Sequence, residues 1–298
     1  MNKLNVSNQA VLEDFDLFLT FLRNHKQISL TNELAQLKRS DLFRLNEEMH
    51  FKAAWVTDKS AQYAYSELNF FFEVVVAARM GKIYYEEKNN YLVPDLNQVE
   101  RYTLFTPTEQ YFFLLETAWC YLDWAKLCDH RSWYFAESIL TLLRLTANPA
   151  FSLGLEREDR GIRVPDNHHF VHVGLSTPIV QVFEYLGFYN LEPESSLKKK
   201  PDCYSFPFKK IIPQPLSAVL TPVLLEQRDL EIWNLPLRKD QLTSEILLGL
   251  TEEAFYRQEG QYLVPRPVEE LTIPSFLDVF KPLMEADELT ESMYPHPQ

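Results

Sequence analysis

The stretch Gly81–Pro94, GKIYYEEKNNYLVP, decides how the chain is read. Ile83, Tyr84 and Tyr85 and then Tyr91, Leu92 and Val93 are β-prone runs. Lys88, Asn89 and Asn90 lie between them, and Asn accepts the left-handed backbone of a tight turn. Pro94 ends the second run, because it has no N–H to continue a ladder. The residues before it, YSELNFFFEVVVAARMG, predict a helix with Ser66 as N-cap, Leu68, Phe71, Phe72 and Val75 facing inward, and Gly81 as its stop. A hairpin that follows a helix in this way is the wing of a winged-helix module. The question it raises is whether this wing and its helix touch DNA.

Working outward, Val11, Phe15, Phe18 and Leu22 form one stripe of a helix over Asn8 to Asn24, with Leu12 and Leu19 beside it. ISLTNELAQL and SDLFRLNEEMH read as two short helices, the second capped by Ser40. After the hairpin and a short spacer, TPTEQYFFLLETAWCYLDWAKL predicts one helix from Thr106 to Leu127. Thr106 is its N-cap, Pro107 its first residue, and Glu109 completes a capping box. Phe112, Leu115, Trp119 and Leu122 fall on its buried face. SWYFAESILTLLRLTANP is a further amphipathic helix that stops at Asn148-Pro149.

Residues 149–175 hold three of the seven glycines, Gly154, Gly161 and Gly174, and read as a connector between an N-terminal domain, 1–148, and a second domain, 176–298. The second domain repeats the theme. STPIVQVFEYLGF is a helix capped by Thr177, with Ile179, Phe183 and Leu186 on one face. FYNLEP and DCYSFPF are strand-like runs on either side of ESSLKKKP, a longer wing. Helices over Leu216–Gln227 and Leu242–Gly249 follow, then an acidic, Pro-containing tail. NYLVP at 90–94 returns as QYLVP at 261–265, which suggests two copies of a strand that ends a hairpin. The expected architecture is mainly α, two winged-helix-like helical modules with small β-hairpin wings.

Composition bounds the function. Hydrophobic residues are 46% and charged residues 24% of 298, as in a soluble globular protein. Three cysteines, Cys120, Cys128 and Cys203, without regular spacing fit a reducing compartment. No apolar run reaches membrane-spanning length, and MNKLNVSNQAVLEDF holds no signal-peptide h-region, so a cytoplasmic protein with no membrane partner is expected. The net charge of −13 opposes non-specific attraction to phosphate. Residues 1–148 carry 15 basic and 19 acidic side chains; residues 149–298 carry 14 and 23.

Against that charge, the helix before the first wing offers Glu67, Glu73, Asn69 and Arg79 among Phe and Val, a poor set of donors for base edges. The second wing is better equipped. Lys198, Lys199, Lys200, Lys209 and Lys210 alternate with Tyr204, Phe206 and Phe208, and basic residues with interleaved aromatics can form a nucleic-acid surface over 198–210. The plainer reading is a solvated loop whose aromatics turn inward. DNHHFVH would place His168 and His172 on one helical face at metal-ligand spacing, but FVHV favours a strand or loop, where they are ordinary surface histidines. Cys120 lies inside an apolar helix, as a small buried hydrophobe does. P-loop, G-x-G-x-x-G and G-x-S-x-G patterns are lacking, so no cofactor is expected and catalytic residues stay unassigned.

FFEVVVAARMGKIYYEEKNNYLVP followed by LFTPTEQYFFLLETAWCYLDWAKL resembles the helical region that accompanies the plasmid pRiA4b ORF-3-like domain in bacterial proteins, some of them passengers of mobile elements. LGFYNLE and IIPQPLSAVLTP resemble its later winged-helix-like part, where a wing returns into a Leu-Thr-Pro helix start. The pRiA4b domain itself has no counterpart in these 298 residues. The resemblance implies no catalytic residue. The leading expectation is a non-enzymatic interaction or regulatory protein that binds a protein partner. A DNA-binding accessory or regulatory factor acting through the second wing is the alternative, and a hydrolase or nuclease whose site no motif reveals is the third.

Overall fold

The computed structural model describes residues 6–53, 56–85, 89–127, 135–148, 155–158, 161–163, 170–171, 177–193, 208–228, 230–237, 256–259 and 262–265. These are mostly helical, with small antiparallel sheets. Helix α1 (Val6–Arg23) buries Val11, Phe15, Phe18, Leu19 and Leu22, the stripe expected from spacing. The next segment departs from expectation. Ile28–Leu30 is a strand, β1, where a helix was expected, and α2 follows at Arg39–Glu48. The reason is a long-range partner: β1 takes the free edge of β3, with Ile28 opposite Leu92 and Leu30 opposite Asn90. Two apolar residues in alternation are enough for a strand once an edge is offered. Ser40 sits inside α2 rather than at its cap; Lys38 precedes the helix and makes no side-chain cap bond.

Helix α3 (Ser66–Ala77) and the hairpin β2 (Gly81–Tyr85) with β3 (Asn90–Pro94) form as expected, in register from Gly81 opposite Pro94 to Tyr85 opposite Asn90. Both ends of α3 differ in detail. Tyr65, not Ser66, is the N-cap, without a side-chain bond. The stop is Arg79, which takes φ 58°, while Gly81 is already the first residue of β2. The N–H of Arg79 donates to Val76 O at 3.1 Å and that of Met80 to Val75 O at 2.9 Å, the paired bonds of a Schellman cap, with Met80 and Val75 both buried.

A short helix, α4 (Leu96–Thr103), fills the expected spacer, capped by Asp95. Helix α5 (Pro107–Glu116) carries the capping box of Thr106 and Glu109. The single helix expected to Leu127 is instead three pieces: α5, a π-helical turn at Thr117–Tyr121, and α6 (Trp124–Leu127), with extended backbone at Leu122. The carbonyls freed at this break are met from a distant part of the chain. Asn234 Nδ2 donates to Trp119 O at 2.8 Å and to Leu122 O at 3.0 Å. Helix α7 (Phe135–Ala147) follows.

Three short strands, β4 (Leu155–Glu158), β5 (Gly161–Arg163) and β6 (Phe170–Val171), come next. Then come α8 (Thr177–Tyr185), β7 (Tyr189–Pro193), β8 (Phe208–Pro213), α9 (Pro215–Pro222) running into a π turn at Val223–Gln227, α10 (Leu230–Trp233), β9 (Tyr256–Glu259) and β10 (Tyr262–Pro265). The sheets are β1-β3-β2, β6-β5-β4-β8-β7 and β9-β10. The helix expected at Leu242–Gly249 and the tail after residue 265 lie outside the described residues.

The two halves repeat one backbone pattern closely. After α8, Gly187 takes φ 78°, its N–H donates to Glu184 O, and Phe188 N–H donates to Phe183 O, as Arg79 and Met80 do after α3. The strand then starts two residues past the left-handed residue in both halves. Tyr189 faces Pro213 as Gly81 faces Pro94. Leu92 pairs with Ile28 and Ile83, and Ile211 with Leu155 and Leu191. Asp95 N–H reaches back to Met80 O, and Gln214 N–H to Phe188 O. Of the second copy, Tyr262–Pro265 also lies on the second strand of a hairpin, with Pro265 opposite Tyr256.

One apolar core runs through both halves. Trp124 stacks on Phe183 with centroids 5.7 Å apart, Tyr111 donates its hydroxyl to Leu186 O at 2.7 Å, and Trp119 Nε1 donates to Arg228 O at 2.6 Å. The shared turn tests itself. Arg79→Gly should raise stability by roughly 1 kcal/mol, the left-handed cost of an L-residue less the entropy of glycine. Gly187→Ala should lower it by about 1 kcal/mol or more. Urea unfolding of the two variants measures both.

Candidate functional site

Among the described residues, a grouping of acids with a histidine lies where α1, α3 and α8 meet. Asp14 sits on the apolar stripe of α1, between Val11 and Phe18, and is 1% exposed. It survives there because its lone pairs are used. Oδ1 accepts from the N–H of His50 at 2.7 Å and from His50 Nδ1 at 2.8 Å, and Oδ2 accepts from the N–H of Phe51 at 3.0 Å. The carboxylate thus caps the chain as it leaves α2 and fixes the imidazole with its proton on Nδ1. The far ring nitrogen, Nε2, lies 3.2 Å from Glu13 Oε2 at the surface. Asp14 and, less, Glu13 raise the imidazole above the ordinary histidine value.

Glu67 is the opposite case. It is 3% exposed, on α3, and neither carboxyl oxygen has a hydrogen-bond partner among the described residues. Burial, then Asp14, then Glu184 push its carboxyl well above the usual range. Glu67 stands in the first turn of α3, where the helix dipole favours the anion by about 0.3–1 kcal/mol. Burying an unpaired carboxylate costs several kcal/mol, so desolvation outweighs the dipole and favours the protonated form. Glu184 lies in the last turn of α8, where the dipole disfavours negative charge. Burial pushes it up to about 7, against the opposing bond that its Oε1 accepts from Leu191 N–H at 2.8 Å. Tyr185 beside it is raised by burial and by Glu67, Glu184 and Asp14 in turn.

Chemically, the grouping can hold and release protons. An oriented His50 with an accessible Nε2 is a base in form, yet no group of three His, Cys, Asp or Glu is arranged to hold a metal ion among the described residues. Asp14, His50, Glu67 and Glu184 are absent from the sequence-predicted candidates. The signal for two of them was present as acids on apolar stripes: Asp14 between Val11 and Phe18, and Glu67 four residues before Phe71. Neither spacing predicts the outcome: the partners of Asp14 come from the segment after α2, and Glu67 has none among the described residues.

Of the sequence candidates, Lys209 is exposed and Lys210 half-buried on β8. Lys210 stands in register with Glu192 on one side and Glu156 on the other, and Glu192 is an exposed acid. Cross-strand neighbours share a face, so Glu192 offsets the charge of Lys210. Lys198, Lys199, Lys200, Tyr204, His168 and His172 lie outside the described residues, as do Cys128 and Cys203. Cys120 is fully buried and its thiol is pushed up by that burial, which leaves it inert. No described helix is long and apolar enough to cross a membrane.

The comparisons with known proteins find no match: no protein-family model, no curated protein and no solved structure.

The Asp14–His50 pair has a directional test. Because the imidazole is raised on folding, its contribution to stability is complete below the ordinary value near 6.5 and is lost as pH rises through the raised one. Asp14→Asn should return His50 toward 6.5 in an NMR titration. It should also cost about 1–3 kcal/mol, since the amide can accept at only one oxygen and leaves a buried N–H unpaired.

Proposed function

We propose that the chain is a non-enzymatic interaction or regulatory protein, built from two winged-helix-like modules whose inner helices hold the molecule together. The order α1-β1-α2-α3-β2-β3, with its sheet order β1-β3-β2, supports the winged-helix reading. The second half supports the same reading through α8, β7 and β8, with β4 on the outer edge of β8.

The observation that carries the proposal is the burial of α3. Nine of its twelve residues are buried and none is exposed. In a DNA-reading winged helix this element enters the major groove and presents donors to bases. Here it is packed against α1, α2, α6 and α8, and α8 is covered in its turn. Two acids on α3, Glu67 and Glu73, and the net charge of −13 add to the argument against a nucleic acid. The alternative, DNA contact through the second wing, keeps Lys209 exposed but sets Glu192 across from Lys210.

What the fold leaves outside suits a protein partner. Strand β2 is an edge of its sheet, so one side of its backbone is unpaired within that sheet. Tyr85 is 72% and Tyr84 46% exposed beside it, with Lys82 Nζ 5.2 Å from the Tyr84 ring centre. Strand addition by an extended segment of another protein uses such an edge, with alternate side chains giving selectivity.

Two measurements separate the readings. Duplex DNA at low salt should give no binding in fluorescence anisotropy; tight, salt-sensitive binding lost on Lys198/Lys199/Lys200→Glu would reverse the order of the hypotheses. In affinity capture from cell lysate, a specific protein should co-purify and be lost with Tyr84→Glu plus Tyr85→Glu, the circular dichroism being unchanged. A strictly solitary protein would count against the proposal.

A further inference from the structure

The grouping at the α1–α3–α8 seam has a property that partner binding does not use. Three elements converge on Glu67. Helix α1 brings Asp14, α8 brings Glu184 and Tyr185, and the segment after α2 brings His50, held by Asp14. The cations on the surrounding elements are occupied elsewhere or face water: Arg44 of α2 lies over the Phe21 ring, Lys82 of β2 over the Tyr84 ring, and Lys126 of α6 is exposed. From the short 3-10 turn Gln62–Ala64, Gln62 is engaged with Asn69 and Leu37, and Tyr65 next to it donates to Thr57 O. The π turn packed on α3 brings Cys120 and Tyr121, neither of them a cation. The electrostatic influences on Glu67 are thus Asp14 and Glu184, both of which oppose its ionisation.

We propose that this seam is a proton-operated clasp: Glu67, buried with both carboxyl oxygens unpartnered and facing Asp14 and Glu184, holds the apposed faces of α3 and α8 together while it carries its proton, and its ionisation parts them. The geometry allows little else. An ionised Glu67 in place would have no hydrogen-bond donor among the described residues and two acids for neighbours. Relief comes from water, which reaches a side chain this buried when a helix packed on α3 moves away, and α8 is the helix packed on it most extensively. The seam joins the two repeated halves, so its opening uncovers the apolar faces that both wing-bearing helices now hide.

The sign follows from linkage. A carboxyl raised on folding binds its proton more tightly in the closed than in the open state. Closure is therefore undiminished below the ordinary carboxylate value of 4.5 and weakens as pH rises from there. For Glu184 that loss extends to about 7; Glu67, raised well above the ordinary carboxylate value by burial, Asp14 and Glu184, acts in the same direction. His50, also raised, acts in the same direction. Asp14 is held as hydrogen-bond acceptor to His50 and Phe51 throughout.

Hydrogen exchange of the full chain between pH 5 and pH 8.5, corrected for the intrinsic rate, tests this. Protection of α3 and α8 should fall with rising pH by up to about tenfold per unit for each proton released. Protection of α7, which packs on α9 away from the seam, should hold level. Glu67→Gln, neutral at every pH, should flatten the response, and Glu184→Gln should reduce it in part. A wild-type response that is absent, or spread evenly over α7 and the seam helices, would overturn the proposal even if no variant folds. So would an unaltered slope in a folded Glu67→Gln protein.

Discussion

The contact of α3 with α8, and of both with α1 and α6, carries the centre of this molecule. Phe70, Phe71, Phe72, Val74 and Val75 from α3 meet a core to which α8 adds Ile179, Val180, Val182 and Phe183. Trp124 of α6 lies flat on Phe183, at an interplanar angle of 3°. Large aromatic side chains supply much buried area per residue, and offset or tilted ring pairs add to it. With Phe15 of α1 against Phe71 and Tyr102, the aromatic cluster extends into the layer below. Little of either helix is left for another task. The element that a winged-helix protein would present to a DNA groove is here an internal strut.

The same burial explains the polar chemistry. A charged side chain placed on an apolar stripe must find hydrogen bonds, or take up a proton, or be excluded. Asp14 takes the first course, through His50 and Phe51. Glu67 takes the second. Glu184, with one backbone N–H and partial access to solvent, is intermediate. Three acids within one seam therefore sit in unlike environments because their donors differ, although side-chain chemistry alone would make them alike.

The repeated backbone gives the two halves their shape by local means. A left-handed residue ends each inner helix, the next residue closes a Schellman bond, and a strand begins at once. Gly187 fills this position in the second half without strain, and Arg79 fills it in the first with some. The hairpin then returns to a proline that ends the second strand, and its successor bonds back to the residue before the first strand. The echo of NYLVP and QYLVP was the visible trace of the hairpin in the sequence. The correspondence between α3-β2-β3 and α8-β7-β8 was legible in the sequence as a helix followed by a wing, and its detail lies in the hydrogen bonds and register.

By itself the sequence determined what short-range chemistry controls. It set the apolar stripes of α1, α3, α7 and α8, the capping box of Thr106 and Glu109, and the paired strands and closing proline of the Gly81–Pro94 hairpin, because each depends on residues within a few positions of one another. Tertiary structure decided whatever needs a distant partner. It made Ile28–Leu30 a strand by offering the edge of β3, and it broke the helix after Tyr121 by supplying Asn234 to its carbonyls. It also buried Glu67 of α3 among other helices, which pushes its carboxyl well above the usual range. The physical reason is the same in each case: the free energy of a backbone edge, a carbonyl or a carboxyl depends on whether water or another part of the chain stands against it, and sequence spacing does not contain that information.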